Sequence, residues 1–322
     1  MHLIAVCPAS ASPTALILAG TVRGMNILPE SELVLAVDVG GTKLAAGVVD
    51  TAGRLRERHQ APTPRSSSET ELFAALVALV ERFAPFGRFI ACGVGCGGPM
   101  SGGGVLVSPL NIPAWRDFPL AEKLARITGL PTAVDNDGKA LALAEGWVGA
   151  AVGQSDFLAM VVSTGVGGGI VLDGRLLEGL TGNAGHIGHV LVEPGGTALP
   201  GHATGVLEAE ASGTAIAFRT GRPAETASTV EIDRVGRMVG RAVGSVANLL
   251  DLKLAVVAGS VALGYGEPFF TAAQSEMDLI CRLDHSRGAR IEPAGCGDEG
   301  PLIGAAAVGL RRLGRAIGVI RA

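Results

Sequence analysis

The chain has 322 residues, enough for one large or two ordinary domains, and 48% of them are hydrophobic, which suffices for a sizeable core. Its net charge of −4 does not favour a nucleic-acid partner. Its five cysteines are scattered and include no Cys-x-x-Cys pair, which is typical of reduced thiols in a cytoplasmic protein.

Residues 1–32 differ from the rest of the chain. Their apolar part is interrupted by Pro8 and Pro13, and no basic residue precedes it. That pattern fits neither a signal peptide nor a membrane span, so we expect no membrane partner. We interpret these residues as a disordered extension or as the result of a misassigned start, for which Met25 would be the alternative initiator.

The stretch from Leu33 to Asp50 predicts two short buried strands joined by a turn with two glycines. Glycines let backbone amides approach an anion without a Cβ in the way. Asp38 precedes the turn, and Thr42 and Lys43 follow it. A carboxylate, free amides, a hydroxyl and an ammonium group suit a magnesium-bound polyphosphate. An ordinary hairpin explains this stretch equally well.

Further along, strands and helices alternate. We predict strands at 54–60, 89–94, 132–136, 157–163 and 253–258, and helices at 69–83, 120–127, 139–150, 208–219, 230–251 and 301–313. This alternation indicates α/β layers with ligands at the carboxyl ends of strands. The absence of a G-x-x-x-x-G-K-[ST] pattern excludes a P-loop, and the G-x-G-x-x-G at 93–98 lacks the helix that a dinucleotide site needs.

The segment 157–174 repeats the opening arrangement of strand, glycine-rich turn and strand. Such an echo suggests two related halves, each of which places a phosphate loop at a shared cleft.

Five motifs, taken in order, give the chain a resemblance to the ROK family. They are DVGGTK at 38–43, GGPM and SPLNIPAW within 97–115, VDNDGKALALAE at 134–145, STGVGGGIVLDG at 163–174 and GHIGHV at 185–190. The resemblance covers residues 33–318. It implies an α/β fold with two actin-like (ribonuclease H-like) domains flanking an ATP/sugar cleft: a small domain of 33–148 plus 302–318 and a large one of 149–301. It also implies a homodimer.

The resemblance further implies a sugar kinase that uses ATP and Mg²⁺. The residues that would hold magnesium and the ATP phosphates are Asp38, Gly41, Thr42 and Lys43. Thr164 and Gly165 would form the second phosphate loop, and Gly259 and Ser260 would lie by the adenosine. The residues that would line the sugar site are Asn111, Asn136, Asp137, His189 and Glu208, with Asp137 as the base.

The chemistry of phosphoryl transfer supports the role of Asp137. The reaction needs an acceptor hydroxyl in line with the γ-phosphate and one group that takes its proton. The simpler role of Asp137 is the N-cap of the helix that follows it, which it could fill at the same time as the role of base. Because of the flanking motifs, we interpret it as the base.

Two departures from the family pattern lie in the sugar site. His186 stands where family members usually carry Glu, and a neutral His accepts only one hydrogen bond. We therefore interpret His186 as a ligand contact and expect an acceptor that differs from plain glucose; its alternative role is to fill space beside the pocket. Lys139 stands where Asn is common, and it either contacts the substrate or faces solvent.

A third departure concerns zinc. Many family members bind it through the motif H-x9-C-x-C-x4-C. In this chain His189 is present, but the three cysteine positions are occupied by Leu199, Gly201 and Val206. Thiolates supply most of such a site's binding free energy, so we predict no structural zinc. The nearby histidines fit no metal pattern. The segment 194–205 must then be ordered by packing alone or become ordered when sugar binds.

The combined prediction is an ATP-dependent kinase that phosphorylates a primary hydroxyl of a hexose, an amino sugar or a sugar-like C7-cyclitol. The alternative is a sugar-sensing regulatory protein of the same family without catalysis. Such regulators carry a helix-turn-helix domain ahead of the first phosphate loop, whereas 37 residues precede Asp38 here. A nucleotide-binding protein without catalysis is disfavoured because Asp137 is retained.

Overall fold

The computed structural model describes residues 32–65, 68–86 and 88–321. The predicted N-terminal extension therefore lies outside the described residues, apart from Glu32. The carboxylate of Glu32 pairs with Arg315 at 2.6 Å, so this residue belongs to the folded part and not to the extension. Within the described part of the chain, no helix is both long and apolar enough to cross a membrane.

Strands and helices alternate along the described chain. The strands are β1 (Leu33–Val39), β2 (Lys43–Asp50), β3 (Leu55–Pro62), β4 (Phe89–Cys96), β5 (Met100–Ser101), β6 (Leu106–Val107), β7 (Thr132–Asn136), β8 (Phe157–Val162), β9 (Val166–Leu172), β10 (Arg175–Leu176), β11 (Leu254–Ala258) and β12 (Arg290–Pro293). The helices are α1 (Glu69–Val80), α2 (Leu120–Thr128), α3 (Asp137–Val148), α4 (Leu207–Ala211), α5 (Gly213–Thr220), α6 (Thr229–Leu250), α7 (Ser260–Tyr265), α8 (Glu267–Ile280) and α9 (Gly300–Arg312).

Two five-stranded sheets share one topology. Their strand orders are β3-β2-β1-β4-β7 and β10-β9-β8-β11-β12. In each sheet the first three strands form an antiparallel meander and the last two are added in parallel. This repetition agrees with the repeated strand–turn–strand pattern of the two glycine-rich stretches of the sequence.

The sheets are separated by a layer of two helices. Leu35 of β1 packs with α1 and α2, whereas its neighbour Val34 packs with α3 and α9, because successive strand residues face opposite sides. Phe157 of β8 joins the Val34 cluster, which therefore extends between the two sheets. Helix α3 contacts strands of both sheets, and α9 contacts β1, β2, β4 and β7. Leu158 faces the other way and packs with α6 and α8.

Several elements differ from the sequence-based prediction. The predicted helix 208–219 is broken at Ser212, which has extended backbone angles and caps α5 by accepting a hydrogen bond from the amide of Ala215 at 3.0 Å. Helix α3 begins two residues earlier than predicted. Helices α7 and α8 and the edge strand β12 were not predicted.

Candidate active site

A cleft of about 520 Å³ opens where the glycine-rich turns of the two sheets meet. It is lined by all fourteen residues that the sequence singled out: Asp38, Gly41, Thr42, Lys43, Asn111, Asn136, Asp137, Thr164, Gly165, His186, His189, Glu208, Gly259 and Ser260. The structure thus brings every predicted site residue to one place, while their individual roles stay predictions.

The first wall of the cleft is the turn between β1 and β2. The amide of Gly40 donates to the carbonyl of Lys43 at 3.0 Å, which closes the turn. The hydroxyl of Thr63, beyond β3, donates to the carbonyl of Gly40 at 2.7 Å and braces it from outside. The stretch is therefore a hairpin, as the simpler interpretation had it, and the hairpin opens onto the cleft.

The opposite wall is the turn between β8 and β9. The amide of Ser163 donates to the carbonyl of Gly165 at 2.9 Å. The start of α5 supports this turn, since the Thr214 hydroxyl donates to the Thr164 carbonyl at 2.9 Å. The hydroxyls of Ser163 and Ser260 lie 2.9 Å apart and join the turn to α7.

Gly259 precedes α7 at a position that only glycine tolerates. Its φ is +103°, and a Cβ there would lie 2.2 Å from the carbonyl oxygen of Val162. The chain can therefore pass close to the end of β8 and bring Ser260 into the cleft.

Asp137 is the first residue of α3, and the N-cap of that helix is Asn136. The Asn136 side chain accepts a hydrogen bond from the amide of Gly138 at 2.9 Å, so the alternative that made Asp137 the cap is wrong. A Cβ on Gly138 would lie 2.5 Å from the amide nitrogen of Gly168 in β9. Glycine here lets the start of α3 touch the second sheet and presents Asp137 to both turns.

Asp38 lies close enough to Asp137 for the charge of Asp137 to affect its protonation. A Cβ placed on Gly95 would lie within 4.0 Å of both residues. Burial and, to a smaller extent, the charge of Asp137 raise the pKa of Asp38 to about 7, against the opposing effect of Lys43. Carboxylate oxygens are the ligands that magnesium prefers, so the carboxylates of Asp38 and Asp137 fit a magnesium ion carried by a polyphosphate.

Asp137 itself is open to the cleft, although protein surrounds it on its other sides. Loss of hydration raises its pKa, and the charge of Glu208 adds to the increase. The Gly138 amide and the His186 ring lower this pKa, but the pKa of Asp137 remains above the ordinary value of 3.8. A raised pKa makes the carboxylate a better proton acceptor.

His186 occupies the sugar side of the cleft next to His189. The two ring centres are 5.9 Å apart. Burial lowers the pKa of His186 and the neighbouring His189 lowers it further, although Asp137 and Glu208 oppose the shift. The ring is therefore neutral near pH 7, as the sequence argument on its hydrogen bonding assumed.

Lys139 neither contacts the cleft nor faces solvent, so both of its predicted alternatives are wrong. Its side chain is fully buried, and its ammonium donates to the Gly182 carbonyl at 2.8 Å and pairs with Glu178. Asp135 lies 3.6 Å away. Lys139 therefore anchors the loop that leads into His186.

The segment where zinc-binding relatives carry cysteines is held by two kinds of contact. Leu199 and Val206 pack with two alanines in a small buried cluster. The fully buried Glu210 accepts a hydrogen bond from the Thr197 hydroxyl at 2.9 Å and pairs with Arg234. The expectation of packing alone is therefore wrong. Among the described residues, no group of three or more His, Cys, Asp or Glu side chains is arranged to hold a metal.

The cleft also contains residues that the sequence did not reveal. Leu263 of α7, Gly297 and Asp298 before α9, and Pro301 in the first turn of α9 also line the cleft. A glycine-rich turn ahead of a helix with Pro at its start was a usable signal for the residues around the start of α9.

Comparison with known proteins gives a consistent set of relatives. The model of the ROK family matches residues 34–312. An N-acetylmannosamine kinase of Escherichia fergusonii is 37% identical over 249 residues, which are 72% of this chain and 84% of that protein.

Solved structures also show similarity to the ROK family. A ROK hexokinase from Thermus thermophilus superposes with a TM-score of 0.75 at 33% identity, covering 87% of this chain and 99% of the other. A ROK family glucokinase from Streptomyces griseus, in complex with glucose and AMPPNP, gives 0.75 at 27% identity with the same coverage. A ROK transcriptional regulator gives 0.76 at 21% identity, covering 90% and 80%, which shows the fold alone. The predicted actin-like fold is confirmed.

Proposed function

The chain belongs to the ROK family, and from this premise we propose that it is an ATP-dependent sugar kinase whose base is Asp137. The observation that carries the proposal is the single cleft in which both glycine-rich turns and Asp137 meet. The similarity to sugar kinases over more than two thirds of the chain supports a phosphotransferase with an alcohol group as acceptor.

On the nucleotide side, the two turns would hold the phosphates between them. Lys43 and the amides of the first turn supply positive charge and hydrogen-bond donors, and Thr164 and Gly165 do so from the opposite wall. Asp38 would hold the Mg²⁺ that accompanies ATP, which offsets charge on the phosphoryl oxygens. Gly259 and Ser260 would border the adenosine.

On the acceptor side, Asp137 would take the proton of the attacking hydroxyl. As the bond from that oxygen to the γ-phosphorus forms, the bond to ADP breaks, and the proton moves to the Asp137 carboxylate. Asn111, Asn136, His186, His189 and Glu208 would orient the sugar. The N-cap role of Asn136 uses its side-chain oxygen and leaves its amide donors for a hydroxyl.

The acceptor that we place first is an amino sugar, N-acetylmannosamine, phosphorylated at its primary hydroxyl. Relatives that are 37–38% identical are N-acetylmannosamine kinases. His186, which is neutral and accepts one hydrogen bond, fits an acceptor that differs from glucose. Other hexoses and C7-cyclitols are the remaining acceptors of the same proposal.

We also propose how the chain is divided and where it works. From Glu32 onward the described residues form one compact unit. Residues 33–148 with 302–318 would move as one half against 149–301, each half carrying one sheet and one glycine-rich turn. We propose a cytoplasmic homodimer without structural zinc.

A coupled assay of ADP release tests the function. Purified protein with Mg²⁺ and ATP should release ADP with N-acetylmannosamine, and more slowly or not at all with glucose, glucosamine, kanosamine and C7-cyclitols. Sugar binding by calorimetry without ADP release from any of them would favour the regulatory alternative instead.

A further inference from the structure

His202 projects from the segment 194–206 onto the cleft residue Glu208. Its Nε2–H donates to Glu208 Oε1 at 2.9 Å, and its Nδ1 lies 3.2 Å from the carbonyl oxygen of Pro200. A carboxylate oxygen only accepts, so the ring Nε2 is the donor in this contact. The contact is sheltered from solvent, because the side chains are 20% and 17% exposed.

The carboxylate of Glu208 lies directly against the second glycine-rich turn. Its Oε2 accepts a hydrogen bond from the Val166 amide at 3.1 Å, and a Cβ on Gly165 would lie 3.4 Å from its Oε1. The ring N–H on Glu208 Oε1 offsets part of the carboxylate's negative charge through the hydrogen bond and fixes the carboxylate in one orientation.

The segment that carries His202 is itself anchored. The buried Glu210 holds Thr197, and Leu199 and Val206 pack in their own cluster. The amide of His202 donates to the Leu199 carbonyl at 3.1 Å. The ring therefore reaches Glu208 from a fixed support, in the stretch where the chain lacks the zinc cysteines of its relatives.

We propose that His202 is a positioning residue of the sugar site: it orients Glu208 and compensates its charge, so that the remaining acceptor capacity of Glu208 receives a sugar hydroxyl. This inference rests on the proposed sugar-kinase function. It assigns a task to a residue that does not line the cleft and belongs to none of the family motifs.

Substitution of His202 tests the proposal with N-acetylmannosamine, or glucose if only glucose is turned over, as the acceptor. His202→Ala should raise the KM for the sugar about tenfold, since hydrogen bonds to a carboxylate are among the stronger ones. The KM for ATP should change much less. His202→Gln keeps an N–H donor that can reach Glu208 and should restore most of the loss.

His285→Ala is the matched control. It removes another histidine, whose Nε2–H donates to the Asn248 carbonyl at 3.1 Å and which does not line the cleft. Its kinetics should equal those of the wild type. If His202→Ala does not fold, His202→Asn takes its place, because its polar side chain is too short to reach Glu208.

Two results would overturn the proposal: an unchanged sugar KM in His202→Ala, or a Gln variant no better than the Ala variant. If the wild type turns over no sugar, it is the proposed function that fails. The ring nitrogens of His202, observed by ¹⁵N NMR, then decide the inference separately, because a ring whose Nε2 carries no proton contradicts the hydrogen bond to Glu208.

Discussion

Two parts of the protein, the Asp38 turn and the segment 194–206, are held in place in different ways. The turn is closed by a backbone hydrogen bond between the ends of two paired strands, from Gly40 to Lys43. The segment depends on one buried carboxylate, Glu210, which receives Arg234 from α6 and the Thr197 hydroxyl. A backbone-closed turn tolerates side-chain changes, whereas a buried charge network depends on every partner.

This difference has a practical consequence. We expect that substitutions of side chains at the glycine-rich turns and at the start of α3 alter the proposed catalysis while the fold persists. Changes around Glu210 should alter stability first and affect the cleft only through the segment. Four experiments test this separation, from the largest expected effect to the smallest.

The largest effect is expected for Asp137→Asn. Loss of the general base should lower kcat by about a thousandfold, within the usual range for such groups. The affinity for ATP, measured by calorimetry, should stay close to that of the wild type because the phosphate turns are unchanged.

Asp284→Asn is the control for this prediction. It removes a carboxylate whose side chain is 97% exposed and that does not line the cleft, so kcat should not change. Retained activity in Asp137→Asn would remove Asp137 as the base.

The second effect concerns Glu210→Gln. Its partners Arg219 and Arg234 would be left beside a neutral group, so the free energy of unfolding should fall by about 2–4 kcal/mol. Asp233→Asn is the matched control, since it breaks the exposed Asp233–Arg237 pair and should lose less than about 1 kcal/mol. Urea denaturation measures both. Equal losses in the two variants would show that the buried carboxylate has no special role.

The third effect is the pH dependence of that stability. Burial alone would raise the pKa of Glu210, but hydrogen bonds from Arg234 and Thr197 bring it below the ordinary value of 4.5. The folded state therefore binds this proton less readily than the unfolded chain. The contribution is complete above pH 4.5 and is lost as the pH falls through the lowered folded-state pKa.

Denaturation of the wild type and Glu210→Gln at a series of acidic pH values checks this prediction. Their difference in unfolding free energy should shrink as the pH falls below 4.5. A difference that stays constant down to the lowest pH at which both proteins fold would contradict it.

The smallest effect is expected from metal removal. Leu199 and Val206, at two of the positions where the resemblance led us to expect zinc cysteines, are packed aliphatic groups. Treatment with a chelator should leave the thermal midpoint unchanged, and elemental analysis should find no stoichiometric zinc. Bound zinc lost together with stability would refute the prediction.

The two glycine-rich turns could be predicted from the sequence because the residues that define each turn are close together in the chain. Asp38, Thr42 and Lys43 lie within six residues, and a glycine-rich hairpin fixes their spacing whatever packs around it. The same holds for Asn136 and Asp137, which follow directly on a strand end. Helix α8 was missed although Phe269, Ala272, Ala273 and Met277 recur at helical spacing and face α6.

Other features could not be found in this way because their partners are distant in the chain. Lys139 pairs with Glu178, 39 positions away, so its surroundings were not visible locally. The break at Ser212 arises where the α4–α5 corner packs under the Thr164 turn, with the Gly213 amide donating to the Ser163 carbonyl at 2.7 Å.

By itself, the sequence determined the order of strands and helices in outline, the two glycine-rich turns and the carboxylate between them, because each depends on residues that are neighbours in the chain. Only the tertiary structure decided that Lys139 is buried and that His202 reaches Glu208. Those outcomes depend on which groups meet when the two sheets and the α3–α9 layer pack together. Burial and charge pairing act through space and leave no periodic pattern in the sequence.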